Sequence, residues 1–435
     1  MGIDDRRRLR RTVHKMPQFK ITAGRYYYSD LMKPLIFHCD CNNFFASCEC
    51  MANPALRDVP MAVAGDPENR VGIVVAKNQL AKLAGVKTTD TVWQARKKCP
   101  EIVFVPPRHH FYKQISDQVN AIYREYTDYV EPASIDESYL DMTGAPEYYH
   151  LTERELADQI RGRIRSEIGI TISVGVSYNK IFAKMGSDYK KPDATTVITP
   201  DNYKSILWPL PVSDLMFAGK ATTALLEQKG ITTIGELACQ PRESIVSLLG
   251  QAGSFIWDHA NGLDDSPVRP WGYHEAAKSV SHGMTFRKNL VTLQEVRTGV
   301  SYLSDRVATN LRRNGQKGSV ISVSIKSPEL KVKSRQTAMD HYTWLQHEIA
   351  DVSMRLISKF WQVSESAPIR AITVGITKLI STDEDVEQVS LLDDGDFDKR
   401  KKQDKLESAI DELRRRTGKK AVTRGFQKNE DIGIK

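Results

Sequence analysis

Between Leu35 and Pro200 short apolar runs alternate with helical stretches, which confines this part of the chain to a mixed α/β architecture. The runs LIFHCDC, PMAVAG, GIVVA, ESYLDM, TISVGV and TTVIT have the length and composition of strands. One helix among them is marked at both ends. Thr152 and Glu155 form a capping-box pattern, Leu156, Ile160, Ile164 and Ile168 share a face, and Gly169 follows. From about residue 200 to 265 the strand signals stop and short helical pieces replace them, as in a small α-domain. A polar, proline-containing linker (DDSPVRPWGYHEAA) leads into a second alternating region.

In that region Thr292 and Glu295 cap a helix with Val296, Val300, Leu303, Val307 and Leu311 on one side. The strand SVISVSIK comes next, then a helix carrying Leu345, Ile349, Val352, Leu356 and Phe360, then the strand RAITVGITKL. This order predicts an α+β sandwich with one sheet face free. After Ser381 the chain is charge-rich and reads as a loosely structured tail with one amphipathic helix around Leu406–Leu413. Residues 1–33 form a basic extension tipped with aromatics, RYYYSDLMKP.

A length of 435 residues suits two to four domains. The net charge is +8 and the pI about 9.0, which points to a polyanionic partner. Ala277–Ile380 holds 16 Lys/Arg against 7 Asp/Glu and so carries the whole excess, as a backbone-binding module would. No apolar run approaches membrane-spanning length, and the clustered N-terminal arginines have no apolar stretch behind them, so a cytoplasmic protein is expected. Cys39, Cys41, Cys48 and Cys50 make a C-x-C…C-x-C array that raises zinc, but two of them lie in an apolar strand and buried thiols are the better reading.

Three carboxylates stand out. Asp40 ends the strand LIFHCDC, and Asp136 and Glu137 sit in PASIDESYLDM between two extended stretches. Carboxylates gathered at adjacent strand ends make a hard oxygen cage of the kind that suits Mg²⁺. Two such ions polarise an attacking oxygen and stabilise a leaving one in phosphoryl transfer. In the second region Lys326, Lys331, Lys333 and Arg335 alternate along SIKSPELKVKSRQ, which predicts a row of charges on one sheet face that tracks phosphates. The rival for that row is a solvated edge strand guarded by lysines.

These segments resemble the Y-family, or translesion, DNA polymerases, closest to their bacterial UmuC-type branch. HCDCNNFFASCE is similar to the family's first metal motif, SIDESYLDMTG to its second, SVGVSYNKIFAKMGSDYKKPD to its third segment and KSVSHGMTF to the start of its C-terminal DNA-binding domain. The resemblance implies an α+β multidomain fold shaped like a right hand. The expected parts are a catalytic palm at 34–43 and 110–199, small fingers at 44–109, a helical thumb at 200–265, a linker at 266–276 and an α+β little finger at 277–380, with the tail at 381–435.

The activity implied is template-directed addition of deoxynucleotides to a primer, with two Mg²⁺ ions on Asp40, Asp136, Glu137 and the Cys41 carbonyl. Phe44 and Phe45 match an aromatic pair at the incoming sugar, Phe45 being the steric gate against a 2′-hydroxyl. Lys191 matches a triphosphate-binding lysine, whereas Gln79 and Lys82 stand where the family has Tyr and Arg. Phe217-Ala218-Gly219 replaces the two glycines of a thumb hairpin that grips backbone phosphates. Gln388, Leu391 and Leu392 in EQVSLLDD resemble a peptide that docks on the sliding clamp. Expected partners are primer-template DNA, dNTP and the clamp, bound by a monomer. The competing classes are a DNA- and clamp-binding protein with a decayed site and a template-free palm enzyme such as a nucleotide cyclase. The complete carboxylate set argues against the first, and the thumb-like and basic C-terminal segments against the second.

Overall fold

The computed structural model describes residues 33–66, 72–383, 396–418, 422 and 430–434. Residues 1–32 of the basic extension 1–33 and the clamp-like Gln388, Leu391 and Leu392 lie outside these. The described residues form two compact units, the first within Met1–Gly65 and Ile73–His274, the second within Asp66–Gly72 and Glu275–Lys435.

In the first unit the described strands are β1 (Ile36–Cys41), β2 (Met61–Ala64), β3 (Val74–Lys77), β4 (Val103–Val105), β5 (Val130–Pro132), β6 (Glu137–Asp141), β7 (Ile172–Ser177) and β8 (Thr195–Val197). They build a five-stranded sheet ordered β5-β6-β1-β7-β8 and a small sheet ordered β3-β2-β4. β1 is central and buried along its whole length, which explains its near-continuous apolar sequence. Helices α1 (Phe44–Ala52), α2 (His109–Tyr123) and α3 (Glu153–Arg163) bring side chains to the core on this sheet. The capping box is present as expected, with the Glu155 amide donating to Thr152 Oγ1 at 3.3 Å and the Thr152 amide to Glu155 Oε2 at 2.8 Å. The helix then widens into a π turn, Ile164–Ile168, that ends on Gly169 at φ 90°.

A further helix, α4 (Lys180–Tyr189), lies directly on β7. That approach needs two glycines. A Cβ on Gly175 would stand 1.8 Å from the Ala183 carbonyl oxygen, and one on Gly186 would stand 3.1 Å from the Gly175 Cα. Residues 203–260 hold only short helices and a buried cluster around Leu207, Leu226, Ile234 and Ile256, matching the loss of strand signals.

The second unit has a four-stranded sheet ordered β11-β10-β12-β9, from β9 (Ser279–Leu290), β10 (Gln316–Lys326), β11 (Val332–Thr343) and β12 (Ile369–Ser381). Helices α5 (Leu293–Arg313) and α6 (Gln346–Phe360) pack their apolar stripes on one sheet face, and the five α5 positions read from the sequence are all buried. The tail departs from expectation. Helix α7 (Asp396–Thr417) is longer than the predicted Leu406–Leu413 segment and is tied to the unit by ion pairs, with Glu407 buried. Near the C-terminus, Ile432 and Ile434 are buried in the same core. A charge-rich sequence reads as solvated, yet here its charges are the attachment.

Cys39, Cys41, Cys48 and Cys50 are buried free thiols, in line with the reading preferred over zinc. Among the described residues no helix is long and apolar enough to cross a membrane.

Candidate active site

β1 delivers Asp40 between two neighbours, with Glu137 opposite it on β6 and Ser173 opposite it on β7. The Cys41 amide donates to the Asp136 carbonyl at 3.0 Å, so Asp136 sits at the mouth of the β5–β6 turn beside the end of β1. Sheet register therefore gathers all three predicted carboxylates at adjacent ends of the strands. Their side chains do not all point inward. Asp136 Oδ1 accepts from Ser134 Oγ at 2.6 Å, whereas Asp40 and Glu137 face α4.

From α4, Lys184 Nζ stands 2.6 Å from Glu137 and 3.3 Å from Asp40. Lys191 Nζ stands 2.6 Å from Asp40, and both lysines reach Asp188. Asp40 is only 6 % exposed, and burial followed by the Glu137 contact pushes its carboxyl up to about 6 against the pull of Lys191 and Lys184. Glu137 is held well below the usual carboxylate range by the His38 ring, with Asp40 and Lys184 adding to it and burial opposing. Burial lowers the His38 pKa; its Nδ1 pairs with Ser187 Oγ at 2.7 Å, and its Nε2 faces Glu137 at 3.7 Å, longer than a formed hydrogen bond. Burial lowers Lys184 and Lys191, but the surrounding carboxylates outweigh it and hold both above the ordinary lysine value.

The donor set suits a hard divalent cation. It offers carboxylate oxygens, and burial pushes the Cys41 thiol far above its ordinary value, which removes a thiolate ligand. The space in front of Asp40 already attracts two ammonium groups. Among the described residues no three His, Cys, Asp or Glu groups close into a cage, because the Asp136 carboxylate is turned to Ser134.

Phe44 is core, 3 % exposed, whereas Phe45 is half-buried at the start of α1. Phe45 stacks on Tyr112 of α2, and the Tyr112 hydroxyl donates to Glu49 Oε1 at 2.6 Å. Glu49 is itself 3 % exposed and gripped by the Arg108 guanidinium. Gln79 and Lys82 are exposed on the short helix Gln79–Leu83, which Asn78 caps. Nearby Lys77 is lowered by burial and then by the Lys82 ammonium, so two cations crowd one corner of the small sheet. At the replaced hairpin Phe217 adopts φ 69°, a left-handed backbone that costs a non-glycine residue about 1 kcal/mol. Lys184, Asp188, His38, Tyr112 and Glu49 were not singled out from the sequence; the i, i+4 pair Lys184 and Asp188 was the one available signal.

In the second unit the predicted basic row is split. Lys333 pairs with Ile325 and Arg335 with Val323, both core residues, so these two cations stand on the helix-covered side, over Trp361 and Phe360. Lys326 pairs with Val332 and lies on the opposite face, with Ser322, Ser324, Thr373 and Thr377. Lys331 sits in the connecting turn. That opposite face is small and hydroxyl-rich, as a surface donating hydrogen bonds to a phosphate backbone would be.

The impB/mucB/samB family model matches residues 39–188, and the model of that family's C-terminal domain matches residues 277–391. A DNA polymerase IV of Acetivibrio thermocellus is 42% identical over 395 residues, covering 91% of this chain and 98% of that protein. DNA polymerase IV of Clostridium kluyveri is 36% identical over 398 residues, 91% of this chain and 98% of the other. DNA polymerase IV 1 of Bacillus subtilis is 35% identical over 391 residues, 90% and 92% of the two chains. In fold the chain is similar to a solved Y-family DNA polymerase chimera, with a TM-score of 0.69 at 22% identity over 80% of this chain and 99% of the chimera.

Proposed function

This chain belongs to the impB/mucB/samB family, and we infer that it is a template-directed DNA polymerase of the translesion kind, extending a primer 3′ end with deoxynucleotides. The observation that carries the catalytic reading is the register of Asp40 against Glu137 on the two central strands, with Asp136 at the adjoining turn.

In this reading the five-stranded sheet is the palm, the small sheet the fingers, residues 200–265 the thumb and 277–380 the little finger. Asp40, Asp136, Glu137 and the Cys41 carbonyl are the groups that would hold divalent metal, two magnesium ions in the family's reading. When bound, those ions supply polarisation of the attacking primer oxygen and neutralisation of the leaving pyrophosphate. The chain's own part is positioning and charge. Asp40 is buried and held by Lys191 and Lys184, and Glu137 is kept ionised by His38 and Lys184. Lys191, Lys82 and Gln79 hold the triphosphate, with lysine supplying charge but not the two-pronged grip of an arginine. Phe45, backed by Tyr112, excludes a 2′-hydroxyl. Lys326 and the hydroxyl-bearing face of the second unit, with Lys331 in the adjoining turn, track the duplex backbone, whereas Lys333 and Arg335 stand on the other face. Gln388, Leu391 and Leu392 supply a docking peptide for a sliding clamp. The enzyme works as a cytoplasmic monomer on primer-template DNA and dNTP.

Primer extension opposite intact and damaged template bases, with and without magnesium, tests the reading. Asp136→Ala and Glu137→Ala should each abolish nucleotide addition while leaving duplex affinity nearly intact. Robust extension by both variants would sink the catalytic assignment.

A further inference from the structure

The second unit contains an open groove of about 510 Å³ between β11 and α6, lined by the β11 residues around Met339 and by Val352, Arg355, Leu356 and Lys359 of α6. That volume falls within the roughly 300–1,000 Å³ of small-ligand sites. Its floor is apolar: Val352 and Leu356 are buried, and half-buried Met339 packs on the same core. Its rim is cationic. Arg355 and Lys359 are exposed one helical turn apart, and among the described residues neither side chain is engaged by a carboxylate. Lys333 and Arg335 extend the same rim, 5.5 Å from the Trp361 ring and 5.6 Å from the Phe360 ring.

The acids of the neighbourhood, Asp340 of the groove lining among them, cancel this charge only in part. Asp340 is bound to His341, and Glu348 to His341 and Arg400, while Asp351, one turn before Arg355, makes no ion pair with it. The groove also lies on the other side of the sheet from the hydroxyl-rich surface, since Thr337 stands opposite the core residue Ile321. One surface can therefore be occupied without the other.

We propose that this groove is a second nucleic-acid site, taking unpaired DNA with phosphates on Arg355 and Lys359 and a base on the Val352–Leu356 floor. A duplex keeps its base faces stacked and has nothing apolar to offer such a floor, whereas each unpaired base exposes one. An acidic peptide fits less well. It would have to add as a strand along β11, an edge strand whose Lys333 and Arg335 guard it against strand addition. The inference does not depend on the catalytic reading, because binding is measured without nucleotide or metal ion.

The experiment uses the full chain in EDTA, with fluorescence anisotropy of a short labelled oligothymidylate and of a blunt duplex. One variant, Arg355→Gln with Lys359→Gln, removes the charge; another, Thr337→Trp, fills the groove from an exposed position. Both should weaken oligothymidylate binding about tenfold and duplex binding less than about twofold, with thermal unfolding unchanged. Unaltered oligothymidylate affinity in both variants, or an equal loss for duplex, would overturn the proposal. So would binding of a labelled oligoglutamate that both variants abolish while oligothymidylate binds as before.

Discussion

The ring of Tyr112 lies nearly parallel to that of Phe45, with 4.2 Å between centroids and 18° between planes. Tyr112 cannot drift, because its hydroxyl is bonded to buried Glu49, which Arg108 clamps in turn. The residue proposed as the gate thus rests on a platform fixed by a charge-assisted bond. Phe45→Ala should raise the ratio of ribo- to deoxynucleotide kcat/KM about a hundredfold, roughly 2.7 kcal/mol of lost discrimination. Tyr112→Ala should give a smaller rise in the same direction, and Tyr112→Phe, which keeps the stack, less still. Single-turnover incorporation of matched ribo- and deoxynucleotides reads all three. An unchanged ratio in Phe45→Ala would make Phe45 core and move the gate elsewhere.

Lys184 is the cation between Asp40 and Glu137, and removing it leaves a buried and a half-buried carboxylate facing each other. Breaking such a pair costs about 3–5 kcal/mol when both partners are buried, so Lys184→Ala should cost about 2–3 kcal/mol at this partly solvated site. Divalent metal offers the same carboxylates a replacement charge. Magnesium should therefore raise the melting temperature of Lys184→Ala by more than it raises that of the parent, as thermal unfolding across a magnesium series would register. Equal shifts in the two proteins would mean that the ion does not bind where Lys184 now sits.

The strands, the two capping boxes and the three carboxylates were legible because each is a local pattern, such as Thr152 three residues before Glu155 or an acid ending an apolar run. What escaped was set at a distance. Lys184 reaches Asp40 because Gly175 and Gly186 let α4 lie flat on β7, and no local rule ties a glycine in SVGVS to a lysine in FAKMG. The basic row was read with the right period but without its register. Lys331, Lys333 and Arg335 share a parity, yet pairing across the hairpin sets Lys326 opposite Val332 and hence on the other face. The tail failed for a related reason, since Glu407 reads as solvated until its partner 95 residues earlier is known.

That partner makes a strong prediction. Glu407 is 1 % exposed, pairs with Arg312 and accepts from the Gln346 amide at 3.2 Å, while Arg312 also holds Asp411 at 2.7 Å. Deleting one member of a buried pair strands the other, so Glu407→Ala should destabilise the second unit by about 3–5 kcal/mol. Glu407→Gln keeps an acceptor for Gln346 and should cost about 1–3 kcal/mol. Urea unfolding of the full chain decides it. A cost below about 1 kcal/mol for the alanine variant would mean that α7 is not part of the cooperative unit.

The last prediction is a pH dependence centred on His341, whose Nε2 lies 3.1 Å from Glu348 and whose Nδ1 lies 2.6 Å from Asp340. Glu348 raises the His341 pKa above its ordinary 6.5, against burial and the nearby Arg400 guanidinium. Burial resists ionisation of Glu348, but His341, Thr343 and Arg400 overcome it and bring its carboxyl down to about 2. The two signs are opposite. A raised histidine stabilises fully below 6.5, and that share is lost as pH climbs through the folded value. A depressed carboxylate stabilises fully above its ordinary 4.5, and that share is lost as pH falls toward about 2. The pair is therefore at full strength between 4.5 and 6.5, and the alkaline loss should be of order 1 kcal/mol because His341 is one-third exposed. His341→Gln should flatten the fall in unfolding free energy between about pH 6 and pH 9 without altering the acid limb below about pH 4, which other carboxylates dominate. Proton NMR of the His341 ring gives the direct check: titration at or below 6.5 would remove the basis for the alkaline limb.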